Sequence, residues 1–210
     1  MKKTLKHVSK NKQLLVEGND DFHVIKALCQ KYAINENFEI IDCKGVDRLF
    51  IQIPERLKQS ELEVLAIIID ADTEIKNRWD TLKTVFSKQE ITLPNEIPGE
   101  GLTFKINHLR ISVWVMPNNE LNGMLEDFIS FLIPKEDKLL QVANQTLYAI
   151  EKEKLNNYIH AHKSKALIHT WLSWQEDPGT PMGHAITKKF LTTEEETCNK
   201  LINWLSTSFQ

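Results

Sequence analysis

Several features that would decide a protein's class are scarce or missing in this 210-residue sequence. It has three cysteines, Cys29, Cys43 and Cys198, far apart and in no Cys-x-x-Cys pairing, so neither a disulfide framework nor a zinc site is signalled. Seven glycines and seven prolines leave no low-complexity segment. No stretch approaches the roughly 20 apolar residues of a membrane span. The apolar run after the basic segment MKKTLKHVSKNKQ is only Leu14 to Val16, too short for a signal-peptide core, and a reducing cytoplasm is the expected compartment. A positive excess is missing too. With 26 basic and 29 acidic residues the formal charge is −3, which disfavours a histone-like nucleic-acid binder but says nothing about local distribution. No Gly-x-x-x-x-Gly-Lys-Ser/Thr loop occurs, so any ATPase activity would belong to a separate chain.

What is present is an ordinary globular composition, 41% hydrophobic and 26% charged, in a chain long enough to build a core without staples. Leu14-Leu15-Val16 reads as a strand, and Asn19-Asp20-Asp21 opens a helix with Val24, Ile25 and Leu28 inward. Phe38 to Cys43 is a second strand, and Val46 to Lys58 a second helix. Val64 to Ile69 is nearly continuous apolar, as a strand buried on both faces should be, and a helix is expected over 73–88. Residues 89 to 109, with Pro94, Pro98, Gly99 and Gly101, read as an inserted loop or small hairpin. Ile111 to Met116 is the fourth strand, followed by a helix over 122–132. Strands alternating with helices imply an α/β fold, with a four-stranded, mainly parallel, Rossmann-like sheet flanked by helices. After residue 134 the β signal disappears. Helical stretches at 136–158, 163–176 and 193–207 predict an α-helical C-terminal extension over 134–210, beyond a domain of residues 12–133.

In parallel α/β sheets, ligands bind beyond the carboxyl ends of the strands. Glu17 follows strand one, with Asp21 one helical turn on. Asp70 and Asp72 follow strand three, and Glu126 and Asp127 open the helix after strand four. Carboxylates converging on one rim repel one another unless a cation sits among them, and an all-oxygen set favours Mg²⁺ or Mn²⁺ over zinc. Each acid also has a plainer reading as a helix cap, Asp20, Asp21, Asp70 and Asp72 above all. Glu17-Gly18 is odder at a strand end, because Glu is a poor cap and Gly implies a positive φ or a close backbone approach.

Val16-Glu17-Gly18-Asn19-Asp20-Asp21 before a helix, and Ile67-Ile68-Ile69-Asp70-Ala71-Asp72 after an intervening strand and helix, resemble the toprim domain shared by topoisomerases, primases and the overcoming-lysogenisation-defect (OLD) nucleases. That signature is a Glu-Gly after strand one and an Asp-x-Asp after strand three, here 53 residues apart. Pro117-Asn118-Asn119, Gly123, Leu125-Glu126-Asp127, Lys165-Ala166-Leu167, Trp171, Trp174, Pro178-Gly179 and Gly183 also resemble a stand-alone toprim family related to those nucleases. The resemblance implies a nuclease or phosphodiesterase acting on DNA or RNA. Glu17 would be general acid/base and metal ligand, Asp70 and Asp72 would hold Mg²⁺, and Asp21 and Glu126 would complete a two-metal site. It also implies a possible separate ABC-type ATPase partner and a place in anti-phage defence.

Lys165, with Lys163 behind it, is the candidate cation for the transition state, against the plainer reading of a solvated helix face. Residues 177–183 are either a phosphate-contacting loop or an ordinary turn. Trp171, Trp174 and Leu167 share one helical face and read as core. His160 and His162 do not face the same way, and His23 reads as packed or exposed. Two other functions fit parts of the pattern. Asp70-Ala71-Asp72-Thr73 imitates the nucleophile loop of haloacid-dehalogenase-type phosphatases, with Asp70 attacking phosphorus, although that loop normally follows the first strand. A non-catalytic toprim regulatory or assembly subunit is the third. With two bound Mg²⁺ ions the formal charge would rise from −3 to about +1, so weak, metal-dependent nucleic-acid binding is expected.

Overall fold

A computed structural model describes residues 9–35 and 37–210, and the side chains of those from residue 11 onward. Lys2, Lys3 and Lys6 of the basic opening segment lie outside this range. The element order is β1 (Ser9–Val16), α1 (Asn19–Lys31), β2 (Phe38–Asp42), α2 (Val46–Leu57), β3 (Val64–Asp70), α3 (Ile75–Ser87), β4 (Leu102–Ile106), β5 (Leu109–Met116), α4 (Leu125–Phe131), α5 (Lys138–Lys152), α6 (Lys163–Ser173), α7 (Met182–Thr187) and α8 (Glu196–Phe209). The expected α/β class with a mostly parallel sheet and helical C-terminal part is what the structure shows.

The sheet has five strands in the order β2-β1-β3-β5-β4, not four. The additional strand, β4, comes from the segment read as a loop or small hairpin. Leu102, Phe104 and Ile106 alternate along it, and Asn107 takes a left-handed φ of 53°, which closes a tight turn into β5. It pairs antiparallel to β5, Phe104 opposite Ile111, and forms one edge. The other four strands are parallel, with Leu15 opposite Ile67 between β1 and β3, and Ile67 opposite Val113 between β3 and β5.

Because side chains alternate along a strand, β1, β3 and β5 each divide between two apolar layers. Leu14, Val16, Ala66, Ile68, Trp114 and Met116 face a layer closed by α1, α4, α6, α7 and α8. Leu15, Leu65, Ile67, Ile69, Val113 and Val115 face α2 and α3, where Leu49, Ile53, Trp79, Leu82 and Phe86 are buried. The C-terminal helices therefore cover one sheet face. Trp204 donates its indole N–H to the Leu102 carbonyl at 3.0 Å, and Phe209 stacks on Phe38 with ring centroids 3.7 Å apart.

In this strand order the chain leaves β1 toward β2 on one side and returns to β3 on the other. The crevice between the carboxyl ends of β1 and β3 is thus a topological switch point, the place where open parallel sheets bind ligands.

Candidate metal centre

Glu17 and Asp70 meet at that crevice. Adjacent parallel strands end level with each other, so the Asp70 amide donates to Glu17 Oε1 at 2.8 Å. Asp21 sits at the third position of α1, where its Oδ2 accepts the Gly18 amide at 3.1 Å and satisfies an otherwise free helix-start donor. Asp70 caps no helix of its own. Its Oδ1 accepts the Leu125 amide at 3.0 Å, which draws the first turn of α4 to the end of β3 and sets Glu126 beside it. The backbones of Asp72 and Gly123 exchange hydrogen bonds of 2.8 and 2.7 Å and fix the same junction. Gly123 has φ +138°, and a Cβ there would lie 2.6 Å from Asp127 Oδ2, so the position requires glycine. Asp127 is occupied structurally, accepting from the Met124 amide and the Ser164 hydroxyl.

Four of the five expected metal ligands, Glu17, Asp21, Asp70 and Glu126, line one cleft of about 510 Å³ together with Asp20 and Lys165. The fifth, Asp72, stands at the margin. Its exposed carboxylate is ion-paired with Arg78, and its backbone is left-handed at φ 53°. It remains near enough to raise the Glu17 and Asp70 carboxyls by repulsion. Lys165 Nζ lies 3.0 Å from the buried Glu126 Oε1. Burial works to lower its ammonium pKa, but attraction from Glu126, then Asp20 and Asp70, outweighs that and holds it above the ordinary lysine value. Lys163 points away to Glu151 at 2.6 Å.

The electrostatics follow from burial and crowding. Burial raises Glu17 against the opposing pull of the Asp70 amide and Arg78. It pushes Asp21 up to about 7, with repulsion from Glu17 adding to the shift. Asp70 is driven well above the carboxylate range, first by burial, then by Asp21, Glu17 and Glu126. Without a cation, burial and mutual repulsion both work against ionisation of these groups. A hard divalent cation fits the donor set, because it would supply the positive charge that one lysine shared among several carboxylates does not.

Some expectations fail on detail. Gly18 has neither a positive φ nor a close neighbour: its backbone is extended at φ −145°, and a Cβ would meet nothing nearer than Asp21 Oδ2 at 3.6 Å. Residues 177–180 form a turn and α7 begins at Met182, away from the acids. Gly183 brings α7 onto α1, since a Cβ there would fall 2.6 Å from the His23 carbonyl oxygen. Trp171 is core as expected, but Trp174, read as core, is exposed at the end of α6.

Other residues at the site were not singled out beforehand. Asp42 at the end of β2 and Lys44 just after it, ion-paired at 2.5 Å, line the cleft. The strand-end argument applied to Glu17 and Asp70 reaches them equally. His169 on α6 offers a ligand atom within 4.8 Å of one from each of Asp20 and Glu126. Its four-residue spacing from Lys165 puts both on one helical face.

The sequence match extends over residues 11–210, covering the sheet, the cleft and every C-terminal helix. The chain belongs to the DUF3226 family. That family is described as proteins of unknown function. No curated protein and no solved structure matches the chain. The DUF3226 match runs unbroken from β1 to α8, so the cleft residues Glu17, Asp70, Glu126 and Lys165 all fall within it.

Proposed function

We propose that this protein is a Mg²⁺- or Mn²⁺-dependent phosphodiesterase or nuclease acting on DNA or RNA in the manner of toprim nucleases. The observation that carries the reading is the convergence of Glu17, Asp21, Asp70 and Glu126, buried or half-buried, on one cleft where Lys165 is paired with Glu126 and the other lining lysine, Lys44, with Asp42. Glu17, Asp21, Asp70 and Glu126 are the residues that would hold the cation or cations. Bound divalent metal supplies an activated water at neutral pH and charge stabilisation for an in-line displacement. Glu17, whose carboxyl burial raises above its ordinary value, is suited to move a proton at the attacking or leaving oxygen. Lys165, about half exposed at the mouth, is suited to bind a non-bridging phosphate oxygen. Asp70 orients the start of α4 through the Leu125 amide and so keeps Glu126 in register.

The phosphatase reading has less support, because Asp72, its would-be acid, is turned to Arg78 outside the cleft. A non-catalytic scaffold would leave a buried cluster of repelling carboxylates without use. The expectation of a separate ABC-type ATPase partner in anti-phage defence rests on the toprim resemblance alone. The test is purified protein with Mg²⁺ or Mn²⁺ on DNA, RNA and tRNA, alone and with the product of the neighbouring gene. Cleavage is expected, and Glu17→Gln and Asp70→Asn should each reduce it by at least about a hundredfold. Undiminished cleavage in both variants would refute the assigned site.

A further inference from the structure

Beside the all-carboxylate part of the cleft is a second arrangement of different chemistry. Asp20 in the first turn of α1, Glu126 in the first turn of α4 and His169 on α6 each bring one ligand atom to within 4.8 Å of the others. Three helices remote in sequence converge there. Their approach is held by tertiary structure: Lys165 Nζ pairs with Glu126 Oε1 at 3.0 Å, and His169 lies one turn along the same face of α6. Glu126 is only 2% exposed, and its carboxylate faces a cleft already crowded with Asp21 and Asp70. The lysine paired with it is about half exposed and is also drawn toward Asp20 and Asp70, so one ammonium serves several acids. A cation held by fixed ligands balances that charge better.

The donor types differ from those at Glu17, Asp21 and Asp70. Mg²⁺ prefers oxygen and keeps its water, whereas an imidazole nitrogen favours first-row transition cations. We propose that Asp20, Glu126 and His169 form a distinct, mixed carboxylate–imidazole cation position that takes Mn²⁺ in preference to Mg²⁺. This rests on the cleft being a cation site, but it does not require phosphodiester hydrolysis. The two positions then differ in selectivity: an inner one open to Mg²⁺, and an outer one that responds to the transition-metal supply.

The experiment is Mn²⁺ titration of the full chain followed by electron paramagnetic resonance, with pulsed detection of nitrogen coupling, on wild type, His169→Gln and Asp70→Asn. Wild type should bind two classes of Mn²⁺, one showing directly bonded imidazole nitrogen. His169→Gln should lose that coupling and weaken one class by at least about tenfold, leaving the other in place. Asp70→Asn should keep the coupling. Excess Mg²⁺ should displace uncoupled Mn²⁺ first. Absence of nitrogen coupling in wild type, or its survival in His169→Gln, overturns the proposal. Failure of the functional reading looks different: nitrogen-coupled Mn²⁺ in a protein that cleaves nothing upholds this site and refutes the nuclease, while cleavage without the coupling does the reverse.

Discussion

At the scale of single residues, the cleft puts function in conflict with stability. Asp21 has an ordinary value of 3.8 raised to about 7, so between those pH values the folded chain binds more protons than the unfolded one. Stability of the metal-free protein therefore falls as pH rises through that window. Thermal melts in chelator should show a lower midpoint at pH 7.5 than at pH 5.5, and millimolar Mg²⁺ should remove most of the difference. Asp21→Asn should make the profile shallower, leaving the share carried by Glu17 and Asp70, stabilise the chelated protein at pH 7.5 by about 2 kcal/mol, and weaken stabilisation by Mg²⁺. A steep pH dependence that persists in Asp21→Asn would place the proton uptake elsewhere. The acids were legible in the sequence because strand ends and helix starts mark them. Asp72 was harder to place, since its outward turn depends on a left-handed backbone and on Arg78, six residues on in α3. His169 was hidden because no local pattern connects it to Asp20.

At the scale of elements, two glycines separate what builds the cleft from what merely packs. Gly123→Ala forces a Cβ against Asp127 at a φ that disfavours side chains, so α4 must shift and carry Glu126 with it. Gly183→Ala crowds α7 against the His23 carbonyl on α1, and neither residue lines the cleft. Each substitution should cost about 1–3 kcal/mol of stability. Metal affinity should fall by about tenfold or more only for Gly123→Ala, judged by calorimetric Mn²⁺ titration at a temperature where both variants are folded. Equal affinities would mean that the Asp72–Gly123 junction does not position Glu126. The strands with continuous apolar runs could be read directly, as could α1 to α3. β4 could not be fixed, because Leu102–Ile106 is short and flanked by turn residues, and only pairing with β5 decides it. Six-residue α7 was missed for a similar reason: the Pro and Gly before it signal a turn, and what secures the helix is burial of Met182, Ala185 and Ile186 on α1.

At the scale of the whole molecule, charge sets the expected behaviour toward a polyanion. The formal total is −3, Lys163 is committed to Glu151, and Lys44 and Lys165 are the lysines lining the cleft. Binding of single-stranded DNA or RNA should be weak in chelator and strengthen with Mn²⁺. The slope of log K against log salt should be shallow, about −1 to −2. A slope steeper than about −4 would reveal a basic surface that the cleft does not contain. Composition gave this balance, but not the role of the C-terminal third, because amphipathic helices do not announce which surface they cover. Only the structure shows α6, α7 and α8 sharing one apolar layer with β1, β3 and β5. The cleft has a further consequence during synthesis. Its side chains run from Glu17 to His169 in the chain, and the first acid is held by an amide 53 residues later. A growing chain on the ribosome carries these carboxylates apart and hydrated, and they are gathered into one cleft only after α6 has emerged and docked. Early in synthesis the chain thus holds the acids without the cleft that unites them.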